Sequence, residues 1–467
     1  MSECYDLIVI GVGSGGLTAV KFGTRLGLKV ALVEKHKIGG DCTWTGCVPS
    51  KALLHVAKTA YTMRTADQVG LVAASSPVDM KQVKAYIAKT IHTVYAHETP
   101  AIVEQWGASL YVGAARFLDA HRVQVGETIL EGKKIILATG AHPFVPPIDG
   151  LADVPYSTYE QIFDNDRLPT HLLIIGAGPI GLEMGQAYAR LGAAVTIIDE
   201  VILPADEPEV GQLMTHLLAK EGVQFVDGLV TAVSYRNNTY TIHVQGNQEQ
   251  IVIGDQLLVA TGRRPNVQGL DLEKAGVAYS TAGIEVDKQL ATTQKHIYAV
   301  GDCTGGLQFT HLAGWQGYTA VRNAFLPGNG KGRPAIMGWT TFTDPEVAHV
   351  GLTEAEAWQQ YGASAWAVTQ SLDRVDRAVT DNATSGFIKI VRHKNGRILG
   401  ATIVAPRAGE MISELSVAMT NDVKIRGIAD TIHPYPSYSV GLQLVAADEV
   451  QDDFFESKIG QIAKRLA

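Results

Sequence analysis

At 467 residues the chain is too long for one hydrophobic core, and at roughly 150 residues per domain it predicts about three modules. Hydrophobic residues at 46% and charged residues at 18% describe a globular balance, while 48 glycines exceed the ordinary share of about 7%, as expected where backbone packs against ligands. Lys plus Arg number 39 against 47 Asp plus Glu, a net charge of −8, and no basic cluster offers a stripe for a phosphate backbone, which argues against a nucleic-acid partner.

The amino terminus, Met-Ser-Glu-Cys-Tyr-Asp, runs straight into a strand-like Leu7 to Ile10, without the basic-then-apolar layout of a signal peptide, so a cytoplasmic protein is expected. Charge or glycine interrupts every apolar stretch before the roughly 20 residues of a membrane span, so no membrane partner is predicted. The four cysteines, Cys4, Cys42, Cys47 and Cys303, are too few to staple such a chain, and a reducing cytosol removes lasting structural disulfides. No Cys/His cluster has zinc spacing, so no metal site is predicted. The close pair Cys42 and Cys47 then points to chemistry.

In chain order, the apolar run Leu7-Ile8-Val9-Ile10 leads into Gly11-Val12-Gly13-Ser14-Gly15-Gly16 and a helical pattern through Leu26. Strand, glycine turn and helix form a dinucleotide fingerprint. Gly11 and Gly13 permit a tight turn and close approach of a pyrophosphate to the helix N-terminus, whose free N–H groups and dipole favour an anion, and Gly16 lets helix pack closely on strand. The second strand, Val30 to Val33, ends at Glu34, close to the distance of about 20 residues at which an acid meets the adenosine ribose hydroxyls.

Next comes Gly39-Gly40-Asp41-Cys42-Thr43-Trp44-Thr45-Gly46-Cys47-Val48-Pro49-Ser50-Lys51. Pro49 suits the first turn of a helix, so Cys47 is expected at or just before a helix N-terminus, where a thiol pKa falls from about 8.5 into roughly the 3.5 to 7.5 range. The short loop between the cysteines makes a reversible disulfide sterically feasible.

The fingerprint recurs at Leu172 to Ile175, Gly176-Ala177-Gly178-Pro179-Ile180-Gly181, a helix through Leu191, the strand Val195 to Ile198 and Asp199. Two such units predict two dinucleotides, and such an enzyme commonly pairs a flavin with a nicotinamide. Asp199 and Glu200 would repel a 2′-phosphate, and no Lys or Arg lies between Arg190 and Lys220, so NADH is expected ahead of NADPH. The alternative is that Glu200 faces solvent and an arginine from elsewhere reaches the phosphate.

The stretch Gly-Gly-x-Cys-x-x-x-Gly-Cys-x-Pro-Ser-Lys resembles the pyridine nucleotide-disulfide oxidoreductase family, which includes dihydrolipoyl dehydrogenase and mercuric reductase. Ala138-Thr139-Gly140, Ala260 to Asn266, Tyr298 to Asp302 and Asp344 to Gly351 are similar to family landmarks in family order. The resemblance implies an α/β chain with two Rossmann-like dinucleotide-binding domains, for FAD and NAD, and an α+β carboxy-terminal dimerisation domain. The segments are 1–149 (FAD), 150–265 (NAD(P)), 266–335 (FAD again) and 336–467 (dimerisation). It implies a homodimer in which Cys42 exchanges with substrate and Cys47 is the charge-transfer thiolate at the flavin. Lys51 matches the lysine near flavin N5, with Glu183 its carboxylate partner, and a lysine there helps hold negative charge on the reduced ring. Asp302 matches the ribityl-binding carboxylate, and Glu34 the ribose acid. Thr310 opens the helix Leu312 to Asn323, whose N-terminus faces the pyrimidine end of the ring. Further cofactor contacts are implied at Gly40, Asp41, Ala115, Thr139, Gly140, Gly262 and Arg263. Cys303 is expected as a small packed residue, and His311 as a contact candidate only.

Thr431-Ile432-His433-Pro434-Tyr435 resembles the element that crosses the dimer interface, which makes His433 the acid/base for the leaving thiolate and for Cys42. The family glutamate that orients this histidine would stand at position 438, where the chain has Tyr438, so another group must orient the ring. Pro434-Tyr435 and Gly301 to Thr304 are similar to mercuric reductases, but no cysteine follows Cys303. Trp44 and Asp41 depart from the usual residues and are expected to reshape the substrate mouth. The expected activity is reduction of a small disulfide or other acceptor by NADH through FAD and the Cys42–Cys47 pair. The alternatives are dihydrolipoyl dehydrogenase proper, a mercuric, metal-ion or quinone reductase on the same electron path, and a non-catalytic redox sensor.

Overall fold

In the computed structural model, which describes residues 3–466, the first apolar run becomes the central strand of a parallel sheet. β1 (Glu3–Ile10) lies between β2 (Val30–Glu34) and β6 (Thr128–Leu137). β3 (Ala108–Val112) continues the sheet beyond β2, and an antiparallel edge of β5 (Arg122–Val125) and β4 (Ala115–Phe117) follows β6. Leu7, Ile8 and Val9 are wholly buried, which accounts for a continuous apolar run rather than an alternating one: helices cover both faces. After more than 150 intervening residues the chain returns to add the strand Ile297–Ala299 beside β6.

α1 (Ser14–Arg25) follows the first glycine turn, α2 (Gly40–Trp44) is a single short turn carrying Cys42, and α3 (Cys47–Arg64) opens on Cys47. The second fingerprint builds the same arrangement. His171–Ile175 lies between Ala194–Asp199 and Gln256–Val259, with Val223–Asp227 outside, all parallel, and α4 (Pro179–Leu191) follows the turn. Strand order about the two turns is identical. A three-stranded antiparallel sheet, Leu229–Arg236, Thr239–Gln245 and Glu249–Gly254, flanks this unit.

α5 (Thr310–Phe325), two residues longer at its end than the sequence pattern predicts, packs on α1 where Gly15 and Gly317 let the two backbones touch. The last module is a five-stranded antiparallel sheet whose central strand Ile398–Ala405 is buried along its length, covered by α6 (Ala408–Thr420) and the helix Val440–Glu456. The fold class is the one the sequence predicts. Among the described residues no helix is long and apolar enough to cross a membrane.

Candidate active site

The two glycine turns are near copies at atomic level. Gly11 N–H donates to Val33 O at 2.9 Å and Gly176 N–H to Ile198 O at 3.0 Å. Val12 N–H donates to Glu34 Oε2 at 2.8 Å, and Ala177 N–H to Asp199 Oδ2 at 2.7 Å. Each acid therefore pins its own glycine turn to the end of the neighbouring strand. Gly11 and Gly176 have φ of 98° and 112°, the left-handed region where only glycine is free of strain. Gly16 and Gly181 lie inside the helix–strand contact, where an added Cβ would collide with the carbonyl oxygen of Gly11 or Gly176. Gly181→Ala is therefore expected to lower stability by at least about 1–3 kcal/mol and to weaken nicotinamide binding. Urea unfolding and a coenzyme titration check this; parental values in both would contradict it.

A single cavity of about 1410 Å³ runs along both turns, larger than the roughly 300–1,000 Å³ of a usual small-molecule site. Eighteen of the residues singled out from the sequence line it, among them Gly11, Gly13, Glu34, Gly40, Cys42, Cys47, Ala115, Thr139, Gly140, Gly178, Gly262 and Asp302. Gly16, Gly176 and Gly181 stand behind its wall, and His433 is not part of it.

Within the cavity Cys47 opens α3, and its Sγ lies 3.3 Å from the hydroxyl of Thr310, the first residue of α5. Two helix N-termini thus converge on one sulfur, the arrangement that stabilises a thiolate. The pKa of Cys47 is lowered to about 6: the Cys42 thiol donates to it, and the Thr310 hydroxyl and the Lys51 charge assist against burial. Cys42 is driven the other way, above the ordinary thiol range, because it donates that hydrogen bond and is partly buried beside a forming charge. The reduced pair is asymmetric, with the proton on Cys42 and the charge on Cys47.

Lys51, one turn along α3, reaches Glu183 of α4 with Nζ to Oε2 at 2.9 Å. Glu183 is buried and also accepts from Phe342 N–H at 2.9 Å, while the ammonium sits 4.4 Å from the Phe342 ring centroid. Three segments far apart in the chain thereby fix one cation at the cavity wall. Arg263, also in the cavity lining, bridges Asp302 at 2.6 Å and Asp41 at 3.0 Å, with the Tyr159 hydroxyl accepting from its Nε at 3.2 Å. Burial pushes the Asp302 carboxyl up despite Arg263. Asp41 therefore forms part of an ion-pair chain rather than only shaping a mouth. Trp44 turns back from the pair, its indole N–H donating to Ile38 O at 2.7 Å and its ring against Tyr95.

These residues fit FAD. Glycine backbone and the α1 N-terminus suit its pyrophosphate, Glu34 its ribose, Asp302 its ribityl chain, and Lys51 with Thr310 its ring. Asp199, which lines the same cavity at the second turn, could meet the ribose of a second dinucleotide. Cys303 is fully buried, and His311, which lines the cavity, bonds Gly338 O at 3.0 Å. Tyr159, Phe342 and Gln316, whose Oε1 accepts from Gly301 N–H at 2.7 Å, carry no motif and were invisible in the sequence.

His433 lies on the loop before the helix Val440–Glu456, its ring 5% exposed, with Nε2 2.7 Å from Glu414 Oε1 and Nδ1 3.0 Å from Thr431 O. Tyr438 is turned away, its hydroxyl donating to Asp381 Oδ2 at 3.0 Å.

Residues 5–317 match the family described as pyridine nucleotide-disulphide oxidoreductase, and residues 337–445 match its dimerisation domain. The chain is 36% identical over 465 residues to dihydrolipoyl dehydrogenase of Thermus scotoductus, covering 95% of this chain and 97% of that one. It is 33% identical over 450 residues to mercuric reductase of Bacillus cereus, covering 94% of this chain and 70% of that one. Among solved structures, the Cu(II) complex of the HOCl-induced flavoprotein disulfide reductase RclA from Escherichia coli superposes with a TM-score of 0.85 at 28% identity, covering 94% of this chain and 99% of that one. The chain thus belongs to the class I pyridine nucleotide-disulfide oxidoreductases, FAD-dependent enzymes that use NAD(P)H.

Proposed function

We propose that the protein is a homodimeric, NADH-dependent disulfide reductase in which Cys42 attacks a small disulfide and His433 of the partner subunit manages the proton. The net reaction takes NADH, a proton and the disulfide to NAD⁺ and two thiols. Bound FAD supplies the two-electron relay between a nicotinamide and a thiol pair. Within the chain, the Cys47 charge is held by the Cys42 thiol, Thr310 and Lys51, and Lys51 is itself held by Glu183. The observation that carries the reading is the place of Cys47 at the N-termini of α3 and α5, its sulfur 3.3 Å from the Thr310 hydroxyl: this favours the charge on Cys47 and leaves Cys42 the exchanging sulfur, which needs a base before it can attack.

The dimeric reading is supported by the dimerisation domain and by the position of His433 outside its own chain's cavity. Ile432 and Tyr435, which flank it, are 92% and 72% exposed, as expected of apolar groups awaiting a second copy. The segment division 1–149, 150–265, 266–335 and 336–467, and a cytoplasmic location, complete the reading.

A panel of lipoamide, glutathione disulfide, other small disulfides, quinones, Hg(II) and Cu(II), run with NADH and with NADPH, tests it. Disulfides are expected to lead the panel, with kcat/KM for NADH at least about tenfold above that for NADPH, about 1.4 kcal/mol, because Asp199 and Glu200 oppose a 2′-phosphate. Metal ions turned over while every disulfide is refused would favour the reading suggested by the names of the mercuric reductase and Cu(II)-complexed relatives.

A further inference from the structure

The second glycine turn is bonded to a loop with an uncommon backbone. Ala177, within the turn, gives its N–H to Asp199 Oδ2 at 2.7 Å, and its carbonyl accepts from Leu203 N–H at 3.1 Å. Asp199 and Pro204 of this loop both line the cavity. Leu203 is buried and has φ of 47°, a left-handed conformation that is costly for a residue with a Cβ and persists only where its surroundings impose it. On one side the constraint is the turn itself. On the other it is Glu207, four residues on, just before the helix Pro208–Lys220.

Glu207 is buried and engages the dimerisation domain with both carboxylate oxygens. Oε1 accepts from Glu354 N–H at 2.7 Å, where the helix Glu354–Tyr361 begins, and Oε2 lies 3.4 Å from Lys389 Nζ on the strand Phe387–His393. The Lys389 side chain, 5% exposed, also meets Glu209 at 2.5 Å and Glu354 Oε2 at 2.6 Å. Burial alone would push its pKa down, but the three carboxylates hold it above the ordinary lysine value. One buried cation therefore gathers three acids from two modules. Without it, Glu207 is a buried anion beside two others, a costly arrangement that is relieved when Glu207 moves away and takes the loop with it. Leu203 is then free to relax, and the Ala177 carbonyl loses its donor. Lys389 is itself outside the cavity lining. We propose that Lys389 is a positioning residue for the nicotinamide coenzyme: from the dimerisation domain it locks the Asp199–Glu207 loop and so keeps the Gly176–Gly181 turn in the form that receives the pyrophosphate.

This clamp rests on the second turn being the coenzyme site, and the variants separate the two claims. Oxidised holoenzymes carrying Lys389→Met, Lys389→Arg, Glu207→Gln and Gly181→Ala are titrated with NAD⁺, which cannot reduce the flavin, and assayed for the KM of NADH and of the disulfide. Lys389→Met is expected to raise the Kd for NAD⁺ about tenfold, and the KM for NADH with it, while the KM for the disulfide stays within about twofold. Lys389→Arg keeps the charge and should bring Kd back to within about threefold of the parent. A merely structural role lowers the fraction of active enzyme and hence kcat, and leaves Kd where it was. Glu207→Gln strands no charge, since Lys389 keeps Glu209 and Glu354, so it decides the matter if Lys389→Met does not fold; its Kd should rise about threefold. If Gly181→Ala weakens NAD⁺ binding while Lys389→Met and Glu207→Gln bind as the parent does, the clamp is overturned and the coenzyme site stands. A rise in Lys389→Met that Lys389→Arg leaves unrelieved would be an effect of packing and overturns it too. If Gly181→Ala binds NAD⁺ as the parent does, the second turn is not the coenzyme site and both claims fall.

Discussion

Cys42→Ser is expected to lower disulfide reduction by at least about a thousandfold, roughly 4 kcal/mol of transition-state stabilisation, while NADH still bleaches the bound flavin. The two cysteines are not interchangeable. The charge of the reduced pair lies on Cys47, lowered to about 6 by the Cys42 thiol, Thr310 and Lys51, whereas Cys42 carries the proton, its pKa raised by that same hydrogen bond and by burial. A serine at 42 preserves a donor to the Cys47 thiolate but cannot form the mixed disulfide that exchange requires. In the reduced parent, iodoacetamide should find one thiolate titrating near about 6. With Cys42→Ala the donor is gone, and that midpoint should climb toward the free thiol's value of about 8.5. Disulfide turnover surviving in Cys42→Ser would show that electrons leave the protein elsewhere.

How much of this was legible in the sequence follows from the range of each interaction. The glycine turns were readable because their constraint is local: a positive φ at Gly11 and Gly176 and the close helix–strand contact at Gly16 and Gly181 are demands on single residues. The cysteine pair was readable for the same reason, since its spacing and the following helix lie within one short stretch. Lys51 and Glu183, 132 residues apart, could be joined only through resemblance to a family, because nothing in composition or period links two helices of different modules. Asp41, read as a change at the mouth, belongs to an ion-pair chain with Arg263 and Asp302 that no local pattern encodes. The place of the family glutamate is held by Tyr438, and the carboxylate that meets His433 is Glu414, 19 residues upstream.

Arg190 enters the sequence reading only as the bound of a stretch without Lys or Arg, and its replacement by Met is expected to destabilise the protein by about 3–5 kcal/mol. Its side chain is 4% exposed and makes a two-point contact with Glu221, Nε to Oε2 at 2.6 Å and Nη2 to Oε1 at 2.7 Å, plus Nη1 to Asp344 Oδ2 at 2.8 Å. The guanidinium also packs 4.3 Å from the Tyr61 ring centroid, and the Arg190 carbonyl accepts from Arg64 at 2.6 Å. Arg190 therefore sits where α3, α4 and the Phe342–Asp344 segment meet, on the helix face that presents Glu183 to Lys51 and Gln186 to the Asp344 backbone at 2.8 Å. Removing it strands two carboxylates whose charges were matched only there and, more weakly, at the exposed Lys58. The pH dependence follows with a definite sign. Burial pushes Asp344 up, but Arg190 and Lys58 hold it below the ordinary carboxylate value of 3.8. The parent's stabilisation is then complete above that value and is lost as pH falls through the lower folded one. In Arg190→Met burial is opposed only by Lys58, so the gap in unfolding free energy between variant and parent should be widest near neutrality and narrow below about pH 4. Urea unfolding at pH 7 and at about pH 3 measures it, and Glu221→Gln added to Arg190→Met should recover part of the loss by removing one stranded charge. A loss under about 1 kcal/mol at pH 7, the size of a surface pair, would mean that the junction of the three segments is held by packing and not by this guanidinium.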